Sequence, residues 1–312
     1  MKFSKFALSR LVLCCLVVIR LSVPVSAQPA ATSSVTHSFF IAGPDFTGII
    51  GEDGSEVWNA GQPGARDGFV LSNGNVLVCW ADIVKEFDKA GKVIFSFKRT
   101  ADDNELGTAV RLPSGNTFIT ESGKTPRIIE VDKRGKIVAT TPLQPESDNT
   151  HMQTRMARKL DNGNYLVPHL LAFSVKEYTP TGEVVNVFRS DLPALGGREE
   201  ENWPFTAIRL KNGNTLVTLT HGNKVVEFDK NGNVEWKISN DDFVEKPFSD
   251  PCGAQRLSNG NTVIASYGAS EGVKLFEVNA AKKLVWTYTN HRVHEFQILT
   301  TNGLPLTGNL MK

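Results

Sequence analysis

The chain has 312 residues, 40% hydrophobic and 21% charged, a globular composition with ample material for a core. Its 34 basic and 33 acidic side chains nearly cancel, which excludes the strongly basic surface of a nucleic-acid or anionic-membrane binder. Of the four cysteines, Cys14 and Cys15 fall in the N-terminal apolar run, and the remaining pair is not a disulfide framework.

The first predicted element lies outside the fold. Lys2, Lys5 and Arg10 precede the apolar run Leu11 to Ile19, and Val25-Ser26-Ala27 supplies the small residues of a cleavage site. Residues 1–27 therefore read as a secretory signal peptide, too short and wrongly flanked for a stable membrane span, followed by a linker at 28–37. Cleavage removes Lys2, Lys5, Arg10 and Arg20, so 30 basic face 33 acidic side chains and the mature net charge is about −3. A secreted or periplasmic protein with no membrane span after cleavage is expected. Cys79 and Cys252 remain; they read as small buried residues, with pairing between them left open.

From residue 38 onward the chain repeats. The segments GFVLSNGNVLVCW (68–80), AVRLPSGNTFITE (109–121), ARKLDNGNYLVPH (157–169), AIRLKNGNTLVTL (207–219) and AQRLSNGNTVIAS (254–266) align. Their turn glycines, Gly74, Gly115, Gly163, Gly213 and Gly260, continue to Gly303 at spacings of 41, 48, 50, 47 and 43 residues. Each segment leads into a second hairpin such as VKEFDKAGKVIFSF (84–97), and both hairpins alternate apolar and polar residues. The Asn-Gly pairs predict two-residue turns with positive φ at both positions. In the second hairpin Asp88, Asp132 and Asp229 stand three residues before Gly91, Gly135 and Gly232, placed to accept turn N–H groups; the third repeat has Thr179 there and the fifth has Asn279 with Lys282.

Four strands per repeat of 40 to 50 residues make a propeller blade. Residues 38–60 supply only a later-strand pattern and residues 294–306 only a first-strand pattern. The prediction for 38–312 is an all-β, six-bladed β-propeller, closed by N- and C-terminal strands in one composite blade, which removes exposed sheet edges. The pattern DxxGxxxW, with Trp58, Trp236 and Trp286 after the turn, and the run NGNxLV resemble the quinoprotein-like (PQQ-like) and arylsulfotransferase-like propeller repeats. The resemblance covers nearly the whole mature chain at the level of the repeat unit and implies how blades dock.

Hairpin logic then sorts residues by face. All the tight turns fall on one face, here the turn face; the crossovers and second-to-third-strand loops fall on the other, the entry face. Five of the six histidines, His151, His169, His221, His291 and His294, are expected on the entry face. Arg66, Asp67, Arg155 and Glu295 begin first strands there, while Trp80, Glu121 and Tyr267 end second strands or lie just beyond them. First strands line a propeller channel, so these side chains are expected to converge. A spacing of four on a strand puts His151 and Arg155 on one side. The long crossover 189–204 is expected over the channel, with Trp203 free to stack on a ligand.

The function read from this pattern is binding of a small or extended, anionic or sugar-like ligand at the mouth of the channel, by Arg66, Asp67, His151, Arg155, His169, Trp203, His221, Tyr267, His294 and Glu295. The alternative is a propeller enzyme, a carbohydrate lyase or hydrolase or an arylsulfotransferase-like transferase, with His151, Arg155, His221 or Tyr267 catalytic and Glu121 as an acid or base. A bland reading pairs Arg155 with Asp67 or Glu295 of a neighbouring blade. No cofactor is required; a divalent ion held by His151, His169, His221 and His294 stays open, as does a protein partner.

Overall fold

Residues 35–307 and 310–312 are described by the computed structural model. The expected signal segment and most of the linker lie outside them, and the first strand begins at His37. Within the described residues no helix is long and apolar enough to cross a membrane.

The repeat folds as the alternation requires: five four-stranded antiparallel sheets and a sixth sheet of five strands, arranged as a six-bladed β-propeller. The innermost strands are Asp67–Val70, Glu105–Arg111, Arg158–Lys159, Asn202–Arg209, Pro251–Arg256 and Glu295–Thr301. In the sixth sheet Glu295–Thr301 pairs antiparallel with His37–Ala42, Phe40 lying opposite Gln297.

Turn chemistry differs from expectation at the first hairpins. Gly74 N–H donates to Leu71 O and Leu71 N–H to Asn75 O, so the loop is a type I turn closed by a bulge, with only the glycine at positive φ (+83°). Asparagine instead caps the turn through its side chain, Asn73 Oδ1 accepting from Asn75 N–H at 3.0 Å. Only at Asn302-Gly303 are both residues at positive φ, 50° and 78°, in a two-residue turn. The second hairpins behave as read: Asp88 Oδ1 accepts from Ala90 and Lys92 N–H, both at 2.9 Å, and Asn279 does the same for Ala281 and Lys283.

The core is divided among the seams between blades. Leu77, Val84 and Phe97 of blade one meet Leu106, Ile119 and Ile129 of blade two, and every other seam has a similar apolar cluster, each buried large side chain contributing about 1.5–3 kcal/mol. Each of five seams also carries a polar contact that the sequence reading missed, an ion pair in four and a glutamate–histidine contact in the fifth. A glutamate on the third strand meets a base from the following blade: Glu86 with Arg111, Glu130 with Lys159, Glu177 with Arg209 (2.8 Å), Glu227 with Arg256 (3.0 Å) and Glu277 with His37 (2.7 Å). Arg111, Arg209 and Arg256 also lie over Phe95, Phe188 and Trp236 of the preceding blade's outer strand. Glu227 further accepts from Asn212 and Asn214 at 3.1 and 2.8 Å. Glu227→Ala strands these donors and is expected to lower stability by about 1–3 kcal/mol in urea unfolding. A loss within ordinary surface-mutation scatter would show that water replaces the carboxylate.

Candidate functional site

The innermost strands bring two separate constellations into the channel, one at the entry face and one deeper.

At the entry mouth Arg66 precedes its strand, Glu105 opens the next, and His151 sits in a single 3-10 turn, Thr150–Met152, rather than on a strand. Arg66 Nη2 donates to Glu105 Oε2 at 2.6 Å, and His151 Nδ1 lies 3.0 Å from the same oxygen. The hydrogen bond from His151, helped by the Arg66 charge, holds the Glu105 carboxyl down to about 2. Glu105 was missed by the sequence reading; its signal was its position at the head of an innermost strand.

Arg155 lies beside this group, 3% exposed. Among the described residues its guanidinium makes one hydrogen bond, Nη1 to Thr154 O at 2.9 Å, and no carboxylate stands within ion-pair distance. Burial, then the neighbouring Arg66, push its pKa down to about 10, so it stays charged at neutral pH. The guanidinium carbon sits 5.7 Å from the centroid of Phe205, Phe205 meets His294 edge-on at 4.9 Å, and His294 meets Tyr267 edge-on at 5.0 Å. Arg292 lies over the Tyr267 ring at 4.8 Å and donates twice to Tyr267 O. Burial and the adjacent Arg155 and Arg66 hold His294 down to about 3. The ring is therefore neutral: Nδ1–H donates to Arg66 O at 2.8 Å, and Nε2 carries a bare lone pair.

Two guanidiniums, Arg66 and Arg155, thus share one carboxylate at an apolar-walled mouth, with Met152 and Trp203 packed on the cluster of Met156, Leu170, Phe205 and Cys252. The arrangement is suited to an anion, since a buried unpaired cation is costly and an anionic group forks onto it.

Other expected members sit elsewhere. His169 is fully buried, Nε2 against Tyr178 OH at 2.8 Å and Nδ1 against Gln153 O at 3.3 Å, a satisfied core histidine. His221 is exposed and packs on Trp203 at 4.2 Å, its Nδ1 3.6 Å from Asp250. Trp203 belongs to the innermost strand of blade four, and the crossover before it packs between blades three and four through buried Leu195 rather than over the channel. His291 stacks on Phe46 at 4.4 Å. Glu121 is taken by Thr100 and Arg127, and Trp80 is buried with Nε1 bonded to Pro63 O. Among the described residues no three or more His, Cys, Asp or Glu side chains gather where a metal would sit, and the four candidate histidines do not converge. Cys79 and Cys252 are both free and buried.

Asp67 and Glu295 form the deeper group, both sealed from solvent. The inter-blade pairing expected of Arg155 is made by Arg158: Nη1 bonds Asp67 Oδ2 at 3.1 Å, and Nη2 lies 3.7 Å from Glu295 Oε1. Alternation fails here because Ala157 N–H turns back onto Arg155 O at 2.9 Å, and the regular strand starts only at Arg158. Burial raises the Asp67 carboxyl, but Arg158 and Lys312 outweigh it and hold it low; burial and Asp67 push Glu295 up against the pull of the same two cations.

Solved structures share this architecture. A Bacteroides caccae protein of unknown function superposes with a TM-score of 0.73 at 21% identity, over 84% of this chain and 98% of that one. A catalytically inactive histidine-to-alanine virginiamycin B lyase from Staphylococcus aureus, solved with quinupristin, gives 0.56 at 14% identity over 83% and 86%. A streptogramin B lyase gives 0.57 at 13% over 85% and 86%. At these identities the likeness is one of fold. No curated protein matches. The β-propeller in the repeat-level resemblance stands, and the family assignment comes from residues 34–246, which match the Mal s 1 allergenic protein-like profile. That match covers more than half of the chain, including four of the six innermost strands, so the chain belongs to the Mal s 1 allergenic protein-like family.

Proposed function

We propose that this chain is an extracytoplasmic binding protein that holds an anionic ligand at the entry mouth of its channel. One observation carries the reading: Arg155 is a buried guanidinium with no carboxylate partner. Arg66 and His151 supply further donors at the rim, and the partly exposed Tyr267 supplies an apolar surface for a sugar or aryl ring. Glu105 orients Arg66 and His151 and tempers the positive charge.

The test is a thermal-shift titration with p-nitrophenyl sulfate, p-nitrophenyl phosphate and galacturonate. At least one anion is expected to raise Tm, and Arg155→Met, which keeps volume and loses the charge, is expected to weaken its binding about 10- to 100-fold, the value of a charge-assisted hydrogen bond. Adding His151→Ala should weaken it further. Unchanged affinity in the double variant removes the assignment.

A second reading, a lyase, hydrolase or arylsulfotransferase-like enzyme, has one observation in its favour. His294 is neutral with Nε2 unengaged beside Arg155, an open lone pair of a potential nucleophile next to a charge clamp. Two similar folds belong to lyases. Turnover of an anion that binds, lost in His294→Gln with binding retained, would establish it.

A further inference from the structure

At the turn face a cavity of about 840 Å³ opens over the channel, lined by the hairpin turns of four innermost strands and by Leu310, Met311 and Lys312. At its base the Lys312 side chain runs into the channel, 3% exposed. Its Nζ donates to Asp67 Oδ1 at 2.8 Å and lies 3.9 Å from the centroid of Phe69. The main chain of this segment is held as well: Lys312 O accepts from Arg158 Nε at 2.7 Å and Met311 O from Arg256 N–H at 3.0 Å. Asp67 also accepts from Thr108, and Glu295 accepts from Thr206 Oγ1 at 2.9 Å.

We propose that the turn-face end of the channel is a recognition site for a lysyl residue of a peptide, filled here by Lys312. Charge is the first argument. Asp67 is fully buried and held ionised, with Arg158 on one oxygen and the Lys312 ammonium on the other, so without that ammonium a buried carboxylate oxygen loses its charged donor. Shape is the second. A compact ammonium on an aliphatic stem fits an approach across the Phe69 ring, where a planar guanidinium would need a forked acceptor. The third is that the occupant is read through its backbone, by Arg158 and Arg256, so the ligand is a peptide rather than a free cation. Finally, Arg158 Nη2 is buried without a hydrogen-bond acceptor, 3.7 Å from Glu295 Oε1, a donor that residues 310–312 leave unused. A peptide with an acceptor beside its lysine satisfies the site more fully than the chain's own segment does. The cavity above has room for the flanking residues.

The probe is n-propylammonium, the part of the side chain lost in Lys312→Ala. That variant is expected to melt below the wild type and to regain at least part of the difference on the order of 10 mM amine, while n-propanol gives nothing. Lys312→Met, with the stem filled, should not respond. If Lys312→Ala does not fold unaided, its refolding yield with amine against propanol is read instead. Lys312→Ala should also bind an acetylated Leu-Met-Lys amide about tenfold or more tightly than its norleucine counterpart, one charge-assisted contact being removed. Equal effects of amine and propanol, or a response in Lys312→Met, overturn the ammonium site; equal binding of the two peptides overturns the peptide assignment. None of these variants touches Arg155, so the entry-face reading stands or falls separately.

Discussion

Asp67→Ala is expected to destabilise the protein by about 3–5 kcal/mol, because it leaves two buried cations facing one carboxylate. Asp67 is the common partner of the channel: Lys312 on one oxygen, Arg158 and Thr108 on the other. With the carboxylate gone, Glu295 stands 3.7 Å from Arg158 and is already bonded to Thr206, so it cannot replace both contacts. Such a loss is a large share of the roughly 5–15 kcal/mol that stabilises an ordinary domain. Lys312→Met should cost less, since Asp67 keeps Arg158. The two changes should be non-additive, the double variant losing about 0.5–3 kcal/mol less than the sum of the singles. Urea unfolding at neutral pH measures all three. Strict additivity, or a single loss no greater than that of a surface substitution, would show that the channel is wet and the charges screened.

Acidification from pH 7.5 to 5 is expected to remove about 2 kcal/mol of stability for each of His169 and His294, before most carboxylates titrate. Burial is the main cause in both, with Lys176 adding to it at His169 and Arg155 and Arg66 at His294; each pKa is held down to about 3. The sign follows from proton binding. Below the ordinary value of about 6.5 the unfolded chain takes up protons that the folded chain refuses, so stability falls from there until the folded value near 3 is reached. Glu105 acts in a lower window: its carboxyl is held down to about 2, so the stability it adds is lost only as pH falls from about 4.5 toward that value. The variant carrying His169→Gln and His294→Gln should lose less stability between pH 7.5 and 5 than the wild type, by about 4 kcal/mol in chemical unfolding. Parallel curves for the two proteins would mean that neither imidazole is kept neutral.

The sequence by itself determined the blade. Alternation over four to seven residues, Asp or Asn accepting from N–H groups two and four residues on, and a glycine at each αL position act within a dozen residues of chain, and so are written locally. The count of six blades followed from five whole repeats and a partial pattern at each end. Even the missed seam contacts were present as text, a glutamate recurring in VKEF, IIEV, VKEY, VVEF and LFEV. The tertiary structure decided what meets what. Arg66, Glu105, Tyr267 and His294 come from four different blades and His151 with Arg155 from a fifth, and only the curvature of the ring puts them at one mouth, while His169 and His221 fall away from it. Which arginine enters the channel turned on the backbone reversal at Ala157, a one-residue shift that exchanges the two sides of a strand and sends Arg158, not Arg155, to Asp67. Lys312 carries no local pattern at all; its role exists only because a buried carboxylate 245 residues away needs a cation.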